Sequence, residues 1–503
     1  MHLLMKRNNY FYLLSALIVF FLLFFSSCDS VSDPPPIVDN TFNGFETYQV
    51  AEIFAKNCAQ SGCHSGTEPE HNLSFESWSK LILGSSGRHF GDTTGHEKSS
   101  NIFHGADEYG GEAVIPFNAE RSLLYRLVIG DVENSSFRMP YNKPKLSDNE
   151  INIIRDWINN GAKSFSGEVP YLSSNDEIFV CNQAGDEVSV IDLQNKLVKR
   201  TIDVNLNPAS IDHPDHITRK DGFLYVGLVA AGKILKIDIN TYQIVGTVSG
   251  LEFPGMIVFS SDGRKLFVSK SPLAPGAITG VYEIDLATMT LVSEISLPIA
   301  GVPHALAITP DDKLLIADMK WDRIYIYDTN LNDFDGDPIL MSPGQTPFHE
   351  PIHAYISPDG KYLYVSCKGS GYVIIYDVQS RQEAARLSMG DHPMQMAITP
   401  DGSKIYVAVF HEGKIKVIKK DGTNWSIENE ISHHAFHDLW GIDLTSDGKY
   451  VVATSSNEMN GYKPRYNPVG KQRISNVAFV ETATNEVVRI IDVERYASGI
   501  NAR

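Results

Sequence analysis

A short strand pattern recurs seven times in the last two thirds of the chain, and it constrains the fold more than any other feature. In Val190–Asp192, two β-branched residues precede an acidic residue, and six related tripeptides follow. These later copies are Lys236–Asp238, Glu283–Asp285, Ile326–Asp328, Ile375–Asp377, Val417–Lys419 and Phe479–Glu481. Most copies are about 40 to 50 residues apart, the length of one four-stranded blade. The repeat therefore predicts an all-β propeller of seven blades that begins near residue 171.

A turn marker, Asp-Gly or a variant of it, falls between successive copies of the repeat. The aspartates of these turns are Asp221, Asp262, Asp311, Asp359, Asp401 and Asp447. A segment such as Pro303–Thr309 leads into such a turn and has the pattern of an innermost strand. The first blade lacks this segment, whereas the chain ends in Ser498–Ala502, which has it. We therefore expect the C-terminus to complete the first blade and close the ring, which leaves no free sheet edge.

Several strands, such as Tyr364–Ser366 and Tyr406–Ala408, resemble the YVTN-type repeat. The resemblance implies a YVTN-type seven-bladed propeller over residues 171–503. Cys181 and Cys367 fall on corresponding strands of the first and fifth blades, too far apart to bond, and are predicted to be buried free thiols. The last blade is longer than the others because of an insertion that includes Asn457–Pro468. This insertion is either a docking patch, for a partner or for the N-terminal domain, or a solvated loop.

The N-terminus predicts export to the cell envelope. Lys6 and Arg7 precede an apolar run, Leu13–Phe25, which two serines and Cys28 follow. The run is shorter than the roughly 20 residues of a membrane-spanning helix. Residues 1–27 resemble a bacterial lipoprotein signal peptide, which implies lipidation of Cys28 and anchoring at a periplasmic or outer surface. An ordinary signal peptide or a membrane anchor is the alternative. Residues 28–44 are polar and proline-rich and are predicted to be a linker.

Cys58, Cys63 and His64 form the most informative motif outside the repeat. Covalent haem attachment needs two nearby thiols and a histidine directly after the second, so that its imidazole reaches the iron. The usual spacing places two residues between the cysteines, whereas this motif has four. A disulfide and a partial zinc site are the alternatives. Neither of them by itself explains the adjacent His64.

Two predicted helices flank this motif. Val50, Ile53 and Phe54 recur at helical spacing before the cysteines. A capping box, Ser147–Glu150, begins a second amphipathic helix farther along the chain. The loop before this second helix contains Met139, followed by a proline.

The order of helix, Cys-x4-Cys-His, Met-Pro and a C-terminal helix with Trp157 resembles class I cytochromes c, especially those fused to other modules in bacterial envelope proteins. The resemblance covers residues 45–165. It implies one covalent haem c, with Cys58 and Cys63 as thioether anchors and with His64 and Met139 as axial iron ligands. Such ligation suits outer-sphere electron transfer. Alternative distal ligands between the motifs are His71, His89, His96 and His104.

Five propeller histidines are candidates for a second site. His304 and His353 lie in predicted innermost strands and His216 lies near one, whereas His349 and His437 occupy matching loop positions. If they converged on the axis, they could bind copper or a second haem. Some nitrite reductases fuse a cytochrome c domain to a haem-bearing propeller, and nitrous-oxide reductases bind copper through propeller histidines. Here the histidines lie at different offsets in the repeat, so ordinary polar residues at loop and channel rims are the alternative.

The formal net charge of −18 argues against a nucleic-acid partner. We predict a multidomain protein, with a small all-α cytochrome c domain followed by an all-β seven-bladed propeller. The predicted function is electron transfer in the cell envelope, with the propeller binding a redox partner protein or positioning the haem. One alternative is an oxidoreductase with a second metal or haem centre in the propeller. Another is an adhesion or surface-layer protein with a vestigial haem.

Overall fold

The computed structural model describes residues 42–86, 110–133, 135–172, 176–271, 279–459, 461–465 and 473–502. Cys28 and the predicted signal peptide lie outside these ranges, as do His89, His96 and His104. Within the ranges, no helix combines the length and the apolar character needed to cross a bilayer.

A small helical region precedes the propeller. Its elements are α1 (Tyr48–Asn57), α2 (Trp78–Ile82), β1 (Ser85–Ser86), β2 (Gly110–Gly111), α3 (Leu123–Ile129) and α4 (Asp148–Asn159), with single 3-10 turns at Phe42–Gly44, Glu70–Asn72 and Ser135–Phe137. Thr47 caps α1, and its hydroxyl accepts a hydrogen bond from the Val50 N–H. Ser147 and Glu150 form the predicted capping box of α4. The apolar faces of α1 and α4 are buried together in one core around Phe45.

Seven antiparallel sheets follow, which confirms the predicted seven-bladed propeller. The innermost strands are β31 (Ala497–Asn501), β6 (Pro214–Lys220), β10 (Pro254–Phe259), β14 (Pro303–Ile308), β19 (Pro351–Ile356), β23 (Pro393–Ile398) and β27 (Leu439–Leu444). The second strands are β3 (Glu177–Asn182), β7 (Phe223–Leu228), β11 (Lys265–Lys270), β15 (Lys313–Asp318), β20 (Tyr362–Cys367), β24 (Lys404–Val409) and β28 (Tyr450–Ser455). In each blade these two strands pack against the neighbouring blades and are largely buried.

The sequence repeat corresponds to the third strand of each blade. These strands are β4 (Glu187–Asp192), β8 (Lys233–Asp238), β12 (Gly280–Asp285), β16 (Arg323–Asp328), β21 (Tyr372–Asp377), β25 (Lys414–Asp421) and β29 (Ser475–Glu481). The outer strands are β5 (Leu197–Asp203), β9 (Ile244–Ser249), β13 (Thr290–Ser296), β17 (Asp333–Phe334) with β18 (Ile339–Leu340), β22 (Gln382–Ser388), β26 (Asn424–Ser432) and β30 (Val487–Val493). The repeat is visible in the sequence because its apolar positions are buried between blades while its acidic end begins a turn.

The C-terminal strand closes the ring, as the sequence predicts. Strand β31 pairs antiparallel with β3, so the first blade consists of β31, β3, β4 and β5. The seven innermost strands contact one another in a closed circle around the axis, with β31 between β27 and β6. Both ends of the repeat therefore meet within one sheet.

The helical region docks on the side of the propeller through buried charges. Arg465, from the insertion in the last blade, donates to the side chain and the backbone carbonyl of Glu112 at 2.9 and 3.0 Å. The same guanidinium lies 3.2 Å from Asp492 of β30. Glu112 also accepts a hydrogen bond from the N–H of Val198 at 3.2 Å. A second contact joins Arg121 to Glu187 and Glu494.

We expect Arg465→Met to lower the free energy of unfolding by about 3 kcal/mol, because it leaves two buried carboxylates without their shared cation. Glu112 and Asp492 are both buried next to this guanidinium. Denaturant unfolding followed by tryptophan fluorescence would measure the loss. Lys463→Ala, an exposed change in the same insertion, is the matched control. Equal stability of the two variants would contradict a role for Arg465 in docking.

Candidate functional site

The cysteine motif lies in a tight loop at the end of α1. Cys58 caps the helix, and its N–H donates to the carbonyl of Phe54 at 2.9 Å. Gly62 has a φ of 74°, a left-handed conformation that glycine adopts without strain. This turn lets the Cys63 N–H reach the Gln60 carbonyl at 2.9 Å. The loop therefore returns His64 to the side of the helix end, where its N–H lies 3.3 Å from the Cys58 carbonyl.

His64 is held in one orientation. Its Nδ1 lies 3.1 Å from the carbonyl oxygen of Leu73. Because a carbonyl only accepts, Nδ1 donates this hydrogen bond. A second hydrogen bond, to the backbone of Glu70, also acts on the ring. Burial lowers the pKa of His64, so the ring is neutral at physiological pH. A neutral imidazole whose other nitrogen is fixed by a backbone carbonyl is the usual form of a metal-ligating histidine.

Cys58 and Cys63 are both free thiols in this loop. Cys58 is buried against the helical core, and Cys63 is half-buried. Burial, with a contribution from Cys63, raises the pKa of Cys58 to about 12, and nearby Lys143 partly opposes the shift. Cys58 is thus a protonated thiol beside the fixed imidazole.

Met139 lies in the loop before α4, on the same core. It is half-buried and packs against the cluster that contains Cys58. Its N–H donates to the carbonyl of Leu127 in α3 at 3.0 Å, which anchors the loop. Lys143 in the same loop is near enough to act on the Cys58 thiol. The loop therefore approaches the cysteine motif from the side of α3.

The loop holds the donor types that covalent haem attachment requires, two free thiols and a neutral imidazole. Met139 would supply the thioether ligand. His71 is also close to His64, since its charge contributes to lowering the pKa of His64. His71 therefore stays an alternative to Met139.

Three of the five candidate propeller histidines come together near the axis. His216, His304 and His353 lie on the innermost strands β6, β14 and β19. Burial lowers the pKa of His353 to about 3, and His216 and His304 add to that shift. Burial also lowers the pKa of His216 to about 4, with Asp215 opposing. We call these three residues the axial histidines, after the propeller axis and not after the axial positions of a haem iron.

The ring nitrogens of the axial histidines differ in their hydrogen bonds. His304 Nδ1 lies 2.8 Å from the Ile352 carbonyl, so its Nε2 keeps a lone pair. Nδ1 of His216 and Nδ1 of His353 are buried and have no hydrogen-bond partner in the described part of the chain. Buried polar atoms are normally paired, and exceptions point to a bound ligand, ion or water.

His349 and His437 lie elsewhere, in the loops before β19 and β27. His349 is buried, and its Nδ1 is 2.8 Å from the hydroxyl of Ser370. His437 packs against Gly461 in the insertion. The structure therefore separates these two from the axial histidines.

Asp391, His392 and His411 form a cluster that was missed in the sequence. They lie in the loop before β23 and the turn after β24. Their donor atoms all lie within 4.8 Å of one another. The strand pairing explains why they meet. Pro393 pairs with Val409, so His392 and His411 lie beside the same end of the β23–β24 ladder. The sequence signal is that both histidines directly flank predicted neighbouring strands of one blade.

The profile of a protein family described as "Lactonase, 7-bladed beta-propeller" matches residues 339–437, which include the whole of the fifth and sixth blades. The chain is also similar to Antigen Lp49 of Leptospira interrogans serogroup Icterohaemorrhagiae serovar copenhageni (strain Fiocruz L1-130), with 23% identity over 269 residues. That match covers 50% of this chain and 56% of the relative, so it spans only about half of either protein.

Two solved structures are similar to the propeller. The Pseudomonas aeruginosa periplasmic gluconolactonase PpgL has a TM-score of 0.51 at 16% identity, over 65% of this chain and 98% of its own. A functionally unknown protein from Desulfotomaculum acetoxidans DSM 771 has a TM-score of 0.52 at 12% identity, with the same two coverages. At these identities the likeness shows the fold alone, a β-propeller.

Proposed function

We propose that the chain is an envelope electron-transfer protein that carries one haem c in its helical region. The observation that carries the proposal is the fixed orientation of His64. Its Nδ1 donates to the Leu73 carbonyl at 3.1 Å, which fixes the imidazole beside two free thiols. When bound, the haem supplies a one-electron couple at its iron.

The chain's own residues hold and tune this group. Cys58 and Cys63 would hold the haem covalently through their two thiols. His64 would supply one iron ligand, and the Leu73 carbonyl fixes its ring and increases its basicity. Met139, on a loop tied to Leu127, would supply the other. An iron held by two protein ligands would favour electron exchange over binding of a substrate.

The propeller then serves as the module that binds a redox partner or positions the haem. The buried Arg465–Glu112 pair and the Arg121 contacts hold the two parts together. A rigid attachment keeps the haem edge at a constant place relative to the propeller surface. The strongly acidic chain suits a partner with a basic surface. Anchoring through Cys28 would place the protein at a membrane surface.

The test is a pyridine haemochrome spectrum with total metal analysis, on full-length protein matured in a host with cytochrome c assembly machinery. We expect one covalent haem c and one haem iron per chain. His64→Ala should abolish the low-spin spectrum, whereas Cys181→Ala, a buried thiol of the propeller, should leave it unchanged. Absence of covalent haem from the matured protein would contradict the proposal.

A Met139→Leu variant tests the distal ligand separately. We expect covalent haem to remain but the reduction potential to fall, since loss of a thioether ligand destabilises the reduced iron. An unchanged spectrum and potential would transfer the distal role to His71. His71→Ala is the matched variant for that outcome.

The axial histidines favour a second candidate, in which the propeller holds its own reactive centre. Their imidazoles, two of which have an unpaired Nδ1 among the described residues, could ligate a second metal or a haem iron. They could also act as a general base in lactone hydrolysis, as the name of the P. aeruginosa propeller suggests for that protein. Additional copper, iron or non-c haem in the analysis would favour the redox form. Hydrolysis of gluconolactone that disappears in His353→Asn would favour the hydrolytic form.

A further inference from the structure

Blade six carries a cluster with the composition of a metal site, outside the helical region and the axis. Asp391, His392 and His411 place their donor atoms within 4.8 Å of one another. Among the described residues, this is the one group of three or more such side chains that meets this spacing. Neither the haem proposal nor the axial histidines account for it.

The backbone fixes the relative position of the two loops. Strands β23 and β24 pair up to Pro393 and Val409, at the edge of the cluster. Just beyond that pair, the Phe410 N–H donates to the carbonyl of His392 at 2.9 Å. The rings of His392 and His411 therefore meet edge to face, with centroids 4.4 Å apart. The two imidazoles lie together because of the strand ladder rather than by an accident of two flexible loops.

The carboxylate of Asp391 lies beside the two imidazoles. Asp391 Oδ1 lies 2.6 Å from Nδ1 of His392. This contact keeps a carboxylate oxygen beside the two imidazoles. The Asp391 N–H also donates to Glu412 at 3.2 Å, which brings a second carboxylate beside the cluster. A divalent cation would meet a negative and nitrogen-rich site here.

The cluster is open to water. The side chains of Asp391 and His392 are 63% and 38% exposed, and His411 is exposed as well. An ion held here would keep solvent in its remaining coordination positions, as in sites with three protein ligands. Phe410, next to His411, belongs to one buried cluster with Ile352, which precedes the axial His353.

We propose that Asp391, His392 and His411 bind one divalent transition-metal ion of the zinc class. Two imidazoles and one carboxylate suit Zn²⁺ and its neighbours in the first transition row, whereas Ca²⁺ and Mg²⁺ prefer all-oxygen sites. The site is independent of haem, because its ligands all belong to the propeller.

The test is calorimetric titration of Zn²⁺ into the full-length protein after treatment with a chelator. We expect one exchangeable Zn²⁺ per chain. His392→Ala and His411→Ala should each weaken binding by more than about tenfold, since loss of a ligand costs at least as much as loss of its supporting hydrogen bond. Asp391→Asn should weaken it too, because an amide is a poorer ligand than a carboxylate. His434→Ala, an exposed histidine of a neighbouring loop, is the control and should bind as the wild type does.

The outcomes separate this site from the other two. Wild-type protein that binds no Zn²⁺, or His411→Ala protein that binds it with unchanged affinity, would overturn the proposal. Binding lost only in His353→Asn would move the ion to the axis and would overturn it too. None of these results depends on haem, so a protein without haem that still binds Zn²⁺ through His392 and His411 refutes the proposed function alone.

Discussion

Deletion of residues 497–503 should abolish the cooperative unfolding transition of the propeller. These residues include β31, which supplies the innermost strand of blade one and joins β27 to β6 in the ring. Without it, the inner edge of β3 loses its partner, and the circle of innermost strands is no longer closed. Exposed strand edges and apolar faces then favour aggregation. We expect a broad, non-cooperative thermal melt and soluble oligomers in size-exclusion chromatography.

Several contacts join strand β31 to its neighbouring blades. The Ser498 carbonyl accepts a hydrogen bond from Thr454 at 2.8 Å, and the Ala502 N–H donates to Asp443 at 2.8 Å. Ile500 is buried in a core shared by the first and seventh blades. Gly499 lies against the Asp215 carbonyl so closely that a Cβ would collide with it. The strand is therefore locked to blades seven, one and two.

A peptide supplied in trans keeps the prediction falsifiable if the truncated chain does not fold by itself. A synthetic peptide of residues 493–503 should restore a cooperative melt by adding the missing strand, and a scrambled peptide should not. Asn501→Ala, at the end of the same strand, is the mild control. A truncated protein with a wild-type melt would show that ring closure contributes little.

The propeller could be predicted from the sequence because each copy of the repeat occupies the same buried environment. Each third strand places apolar residues such as Ile191 and Ile375 between blades, and its acidic end accepts turn hydrogen bonds, as Asp238 does. The same pattern recurs wherever the same environment recurs. Ring closure was predictable from Ser498–Ala502 for the same reason. Local signals also gave the capping box of α4, since a cap depends only on residues close in sequence.

The contacts between distant segments were not predictable from the sequence. Glu112 and Arg465 meet across 353 residues, and nothing local to either indicates the other. The Leu73 carbonyl that orients His64 is a backbone atom, so its role depends on the path of the chain and not on the side chain of Leu73. The axial histidines come from different offsets in three blades, and only the packing of the innermost strands brings them together.

Acidification from pH 6.5 to pH 4.5 should destabilise the protein by on the order of 4 kcal/mol through the axial histidines. Burial lowers the pKa of His216 to about 4 and that of His353 to about 3, whereas an unfolded histidine titrates near 6.5. Below pH 6.5 the unfolded chain therefore takes up protons that the folded chain does not. Stability is fully present above pH 6.5 and falls as the pH drops towards the folded-state values.

The carboxylates overlap this window only at its acidic end. Those with lowered pKa values, such as Asp377 and Asp401, contribute stability that is lost as the pH falls from about 5 towards their folded-state values. Denaturant unfolding at steps between pH 7 and pH 4.5 thus reports mainly on the buried histidines, and His433, whose pKa burial lowers to about 4, adds to the slope. His353→Asn should flatten the slope, because one buried group no longer titrates, while the exposed His434→Ala should keep it. A wild-type stability that stays constant over this range would mean that the axial nitrogens are solvated or paired in solution, and the case for a ligand at the axis would be lost with it.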